Sequence, residues 1–332
     1  MNRSLLATLA LGAFALGSVP VLAPGQSYTP PRTPWGDPDI QGVFTTDDSI
    51  DVPMQRPEAF GDRLFMNEEE YREAVESLQR QDARFSEEFA PENARVTVNP
   101  PGHWLEWGDE PSRQTSLVID PPNGRIPPQV QAQGRGGRGR GRGAPAQSPE
   151  DFSLYIRCIT RGVTGSILPV IYGNGTRIVQ GPGYVAVANE MVHESRIIPL
   201  DSRPHPGENI RMYMGSSRGR WEGDTLVVET RNLTDRTGVS VNGGGTTHSE
   251  DLVITERFSR TAPDRIHYEA TIDDPRTWTA PWTMGFDLID KPDYQVYEYA
   301  CHEGNNAMRN MLSAARVQEA AAGGDGGQGG QE

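Results

Sequence analysis

From Asp151 onward the chain consists of short runs of alternating apolar and polar residues, each closed by Gly or Pro. The clearest run is Arg265–Ile272, where Ile266, Tyr268, Ala270 and Ile272 oppose Arg265, His267 and Glu269. A period of two places one set on a core face and the other toward water, which predicts a half-buried strand. Asp251–Arg260 repeats the pattern, with Leu252, Ile254, Glu256 and Phe258 on one face. Arg177–Gln180 and Tyr184–Ala188 bracket Gly181-Pro182-Gly183 as a hairpin. Met191–Leu200, Ile210–Met214, Thr225–Arg231, Trp282–Leu288 and Gln295–Cys301 extend the series, and Ser116–Ile119 precedes it. Sequential antiparallel strands with Gly and Pro at the corners close into a barrel or a strongly bent sheet. The expected fold is therefore mainly β and lipocalin-like in layout, with one helix before the meander and one after it.

Composition agrees with that class. The 332 residues include 37 Gly and 27 Pro, about a fifth of the chain, above the average usage of about 12%. This excludes a helical bundle or coiled coil. Net charge is −14, which argues against general nucleic-acid binding. Beyond residue 25 no run holds the roughly 20 apolar residues of a membrane helix.

Five segments follow along the chain. Residues 1–25 have Arg3, the apolar run Leu5–Leu16 and small residues at Ala23-Pro24-Gly25, the pattern of a cleaved export signal. The expected location is periplasmic or extracellular. Residues 26–115 form an extended arm with a surface helix at 67–88, capped by Asn67 and carrying Glu68, Glu69 and Glu70 in its first turn. Residues 116–316 form the barrel-like domain. Inside it, 131–149 centre on the Arg/Gly tract Gly134–Gly143, which cannot bury a core and is expected to be a solvated loop. The final helix spans 305–317, and residues 317–332 form a disordered tail.

Cys158 and Cys301 are the only cysteines. In an oxidising compartment an even pair predicts a disulfide. A nucleophilic Cys301 beside His302, or two free buried thiols, are the alternatives.

Several segments together carry a resemblance. They include Trp35-Gly36-Asp37-Pro38, Ser116-Leu117-Val118-Ile119-Asp120-Pro121-Pro122, Glu190-Met191-Val192-His193-Glu194 and Arg196-Ile197-Ile198-Pro199-Leu200-Asp201. Gly219-Arg220-Trp221-Glu222-Gly223-Asp224-Thr225-Leu226 and Tyr299-Ala300-Cys301-His302-Glu303-Gly304 belong with them. The chain thereby resembles a large set of uncharacterised exported bacterial proteins over about residues 30–316, with the Arg/Gly tract as a variable insert. The resemblance implies export and collinearity and supplies no chemistry.

The chemistry must come from single residues. Glu194 and Arg196 share one strand face, where they read as a structural ion pair or as a polar site. In the second case Arg196 orients an anion and Glu194 or His193 moves a proton. Glu256 falls on an inward face, where a carboxylate needs a partner or its pKa rises. His302 and Glu303 sit at a strand-to-helix junction. Trp221, Trp278 and Trp282 are expected to line a partly apolar pocket. The leading reading is an exported small-molecule-binding protein using these tryptophans with Arg196, His193, Glu194 and Glu303. The runner-up is a cofactor-free acid–base enzyme, a hydrolase, lyase or isomerase, with His193, Glu194, Glu256 and His302 as proton carriers. A surface or assembly protein is the third. The histidines lack metal-ligand spacing, so neither metal nor cofactor is expected. Nucleotide-binding and nucleophile-elbow motifs are absent from the sequence.

Overall fold

A computed structural model describes residues 28–88, 106–108, 110–130 and 145–324. The expected export signal, most of the Arg/Gly loop and the last eight residues lie outside it. Ten antiparallel strands form one sheet: β1 (Gly42–Thr45), β2 (Val118–Asp120), β3 (Thr176–Gly181), β4 (Tyr184–Asn189), β5 (Ser195–Pro199), β6 (Ser216–Glu222), β7 (Thr225–Arg231), β8 (Val253–Ala262), β9 (Arg265–Asp273) and β10 (Trp282–Asp290). The spatial order is β5-β4-β3-β1-β10-β9-β8-β7-β6, with β2 added against β10. The sheet curls into a nearly closed barrel, as its pattern of alternation requires. Its two end strands, β5 and β6, lie against each other without a backbone ladder. Gly219 lets them approach, since a Cβ there would stand 2.6 Å from Leu200 and 2.8 Å from Ile198.

The expected faces hold along β8, β9 and β10. Ile254, Glu256, Phe258, Ile266, Tyr268, Ala270, Ile272, Trp282, Met284, Phe286 and Leu288 are buried at 2% exposure or less. Cross-strand register stacks them in rows. Phe258, Tyr268 and Phe286 form one such row, with ring centroids 5.0 and 5.2 Å apart. Burying such rows is the main stabilising term of the fold, at about 25 cal/mol per Å2 of apolar surface.

Three expected strands differ. Met191–Leu200 becomes a strand only at Ser195, because Val192 and His193 take left-handed backbone angles (φ 64° and 45°) in a tight turn. Ile210–Met214 makes one isolated bridge, Met212 to Leu233, and no ladder. Gln295–Cys301 is irregular, because β10 already has β9 on one side and β1 with β2 on the other. Conversely, the arm supplies β1, which is inserted between β3 and β10.

Helix α1 (Glu68–Glu88) starts as its sequence predicts. Asn67 Oδ1 accepts the backbone N–H groups of Glu69 and Glu70, and Glu70 accepts that of Asn67 in return. A short helix, α2 (Val163–Ile167), is fully buried. Helix α3 (Ala307–Gly324) runs beyond the expected boundary at 317. Cys158 and Cys301 form a disulfide that closes a separation of 143 residues. No helix among the described residues is long and apolar enough to cross a membrane.

Candidate functional site

Strand parity turns Arg196 of β5 and Glu256 of β8 into the barrel, on opposite walls. Ser195 and Ile197 face outward, so Arg196 and Ile198 must face in. The two side chains meet as a fork, with Nη1 to Oε2 at 2.6 Å and Nη2 to Oε1 at 2.7 Å. Both are almost completely buried. Tyr268 donates a third hydrogen bond to Glu256, at 3.1 Å. Burial works against the Arg196 charge, but the facing carboxylate outweighs it and raises the pKa. Burial beside that carboxylate also drives the Tyr268 phenol well up. The two Nη atoms of Arg196 and both Glu256 oxygens are engaged, while Arg196 Nε has no partner among the described residues, and the apolar rows fill the space around them.

The polar chain continues toward the end of the barrel next to the disulfide. Glu194 accepts Thr160 Oγ1 at 2.6 Å and the Arg161 N–H at 3.3 Å. Its pKa is raised by burial, against the pull of those hydrogen bonds and of Arg196 and Arg161. Arg161 is 1% exposed. Its only side-chain hydrogen bond runs from Nη1 to Ser166 O at 3.4 Å, while Nε and Nη2 have no partner among the described residues. Burial pulls its pKa down to about 10, so it remains a cation at neutral pH. The half-buried phenols of Tyr155, Tyr172 and Tyr299 act on it electrostatically, and burial raises the pKa of each.

The remaining expected residues do not gather here. His193 is exposed on the turn before β5, away from the buried Glu256. His302 and Glu303 are exposed in the loop after the disulfide. The three tryptophans divide between the two ends of the inner face. Trp278 and Trp282 pack edge to face at 5.8 Å. Trp221 pairs with Leu226 in the row leading to Phe258. They fill the core as aromatic side chains commonly do. His248 is buried and bonded to Thr237 and to Ser249 O. His267 lies on the outer face between Asp287 and Glu269. His103 lies outside the described residues.

A cavity of about 610 Å3 opens on the flank where the arm meets the β2 turn. Sequence reading did not single it out. Its walls include Pro57, Pro121, Pro127, Pro128 and Ile126, together with the charged Glu58, Asp62 and Arg125, and Arg125 lies 3.5 Å from Glu58. Arg56 also lines it, though only 2% exposed. Nη1 of Arg56 donates to Pro122 O at 2.6 Å, and Nε has no partner among the described residues. No carboxylate among the described residues forms an ion pair with it. Gly124 makes the arrangement possible. At φ 66° it packs on the Arg56 side chain, where a Cβ would lie 2.7–2.9 Å from Arg56 atoms. The density of proline around Arg56 and Arg125 was the available signal, but its parts are about 65 residues apart.

Among the described residues no group of three or more His, Cys, Asp or Glu side chains is arranged to hold a metal. Comparison with family models, with curated proteins and with solved structures finds no match.

Proposed function

We propose that the chain is an exported binding protein for a small, partly apolar anion, held in the cavity beside Arg56. The observation that carries this reading is a buried guanidinium without an ion-pair partner, lining an open cavity whose walls are mostly apolar, with Glu58 and Asp62 also on its lining. An uncompensated buried charge is costly, and an anion from outside removes that cost. A planar guanidinium suits a carboxylate, which it can bind through two parallel hydrogen bonds. Proline rings and Ile126 would hold the apolar body of the ligand, and Arg125, now 3.5 Å from Glu58, would exchange that exposed contact for the ligand's charged end. This places binding on the barrel's flank, because the interior is filled by the Arg196–Glu256 pair and the aromatic rows.

Export is supported by the N-terminal apolar run and by the disulfide, which suits an oxidising compartment. The test is native mass spectrometry of the protein purified from its own host, followed by denaturation to identify what is released. A retained organic acid, lost in Arg56→Leu, is the expected result. A bare mass in the wild-type protein, with no binding from a panel of aliphatic and aromatic carboxylates, would refute the reading.

A further inference from the structure

We infer that Glu106, Tyr294 and Glu190 share two protons in one hydrogen-bonded chain, and that this chain is a pH-sensitive latch fastening the 106–108 segment to the barrel. The latch is built from other residues than the Arg56 cavity and does not depend on it.

Tyr294 Oη lies 2.8 Å from Glu106 Oε1 and 2.6 Å from Glu190 Oε2. Both are hydrogen-bond distances for a pair of oxygens. A phenol carries one proton, so it donates to one carboxylate at a time, and an ionised carboxylate only accepts. With both acids ionised, one of the two contacts would set oxygen lone pairs against each other with no hydrogen between them. A second proton, held by one of the acids, turns that contact into a donation to the phenol oxygen.

The surroundings decide which acid holds it. Glu190 is 5% exposed and accepts two further donors, the Tyr297 N–H at Oε1 (3.0 Å) and the Gly175 N–H at Oε2 (3.3 Å). Three donors on one carboxylate stabilise its charged form. Glu106 lacks such a set. Its Oε2 is buried without a partner among the described residues, so ionisation would leave a charged oxygen unsatisfied. The proton therefore rests on Glu106 Oε1, which donates to Tyr294, and Tyr294 donates to Glu190.

The packed elements reinforce this order. Burial raises the Glu106 pKa, and Asp47 after β1 and Glu190 after β4 add to it, against the pull of Tyr294 and of the Asn174 backbone. Asn174 Nδ2 fixes Asp47 in place with a 2.6 Å hydrogen bond. Asp48 packs on Gly108 and feels the charges of Lys291, Arg265 and Asp47. Burial and the two carboxylates raise the Tyr294 pKa, so the phenol keeps its own proton. Gly175 permits the close approach, since a Cβ there would lie 2.7 Å from Glu190 Oε2 and 2.9 Å from the Tyr294 ring.

A raised folded-state pKa means that the folded protein holds this proton more tightly than the unfolded chain. The latch is therefore complete below the ordinary carboxylate range and is lost as pH rises through the raised value. Once ionised, Glu106 competes with Glu190 for the single phenol proton and is repelled by Glu190 and Asp47. The 106–108 segment then loosens, and with it the backbone hydrogen bond from Glu106 N–H to Ile171 O at 2.9 Å.

The test uses the full chain with its disulfide intact. Infrared spectra of the wild type and of Glu106→Gln are compared at about pH 6, where an ordinary glutamate with a pKa of about 4.3 is ionised. The wild type should show a protonated-carboxyl band that Glu106→Gln lacks. Hydrogen exchange at the Glu106 amide, corrected for the intrinsic effect of pH on exchange, is then followed from about pH 6 to about pH 8. Wild-type exchange should accelerate several-fold across that range. Glu106→Gln, whose side-chain amide can donate to Tyr294 at any pH, should stay slow throughout, and Tyr294→Phe should exchange fast throughout. Identical infrared spectra would show Glu106 already ionised and would overturn the proposal. So would wild-type exchange that does not respond to pH, or the same response in Glu106→Gln as in the wild type.

Discussion

Arg196 on β5 and Glu256 on β8 join opposite walls of the barrel through two hydrogen bonds, 60 residues apart in sequence and almost without solvent exposure. Because β5 and β6 share no backbone ladder, this pair is a direct polar link across the interior to the far side of the open seam. Removing one partner leaves an unpaired charge in an apolar environment. Glu256→Gln or Arg196→Met should therefore lower unfolding stability by about 3–5 kcal/mol. The double replacement Arg196→Met with Glu256→Leu should recover much of that loss. Urea denaturation of the two single variants and the double variant checks this. Losses that simply add would contradict a coupled pair.

His267 gives a prediction in pH. Hydrogen bonds that its ring donates to Asp287 and Glu269 outweigh burial and raise its pKa to about 9, from an ordinary 6.5. A raised folded-state pKa means the folded protein holds this proton more tightly than the unfolded chain. The contribution is therefore complete below about pH 6.5 and fades as pH rises through 9. Thermal unfolding between pH 6 and 10 should show a decline that is shallower in His267→Gln. Identical slopes would remove the Asp287–His267–Glu269 triad from the account.

The disulfide closes a long loop, so chain entropy predicts a stabilisation of about 4–5 kcal/mol. Cys158→Ala with Cys301→Ala should lower the denaturation midpoint accordingly. Mass spectrometry of the unreduced protein should find no alkylatable thiol.

Gly124 combines a left-handed φ of 66° with close contact to Arg56. Gly124→Ala meets both the backbone strain and the clash, and should cost about 1–3 kcal/mol. It should also weaken ligand binding at the flank cavity, because Arg56 must shift. Gly223→Ala is the control. It has a similar φ of 61° with nothing within 4 Å, so it should show the strain without the effect on binding.

Strand faces were legible in the sequence because alternation is a local property. Arg196 and Glu256 could each be placed inward from their neighbours alone. That they meet was not legible, because the contact depends on how far the sheet curls. Likewise Ile210–Met214 and Gln295–Cys301 alternate like strands but are not taken into the sheet, which only topology reveals. β1 went unseen because four residues carry too little periodicity. The two unpaired arginines illustrate the same limit. Arg56 and Arg161 look like ordinary charges in sequence, and that neither side chain forms an ion pair with a described carboxylate depends on the three-dimensional arrangement. The disulfide was the easiest long-range contact to read, because only two cysteines exist.

The most direct test of the binding account is calorimetric titration of benzoate, a carboxylate with a compact apolar body, into the wild-type protein and into Arg56→Leu. Saturable one-site binding to the wild type, weakened at least tenfold in a folded Arg56→Leu protein, is the predicted result. No binding to the wild type, or equal affinity in both proteins, would contradict it.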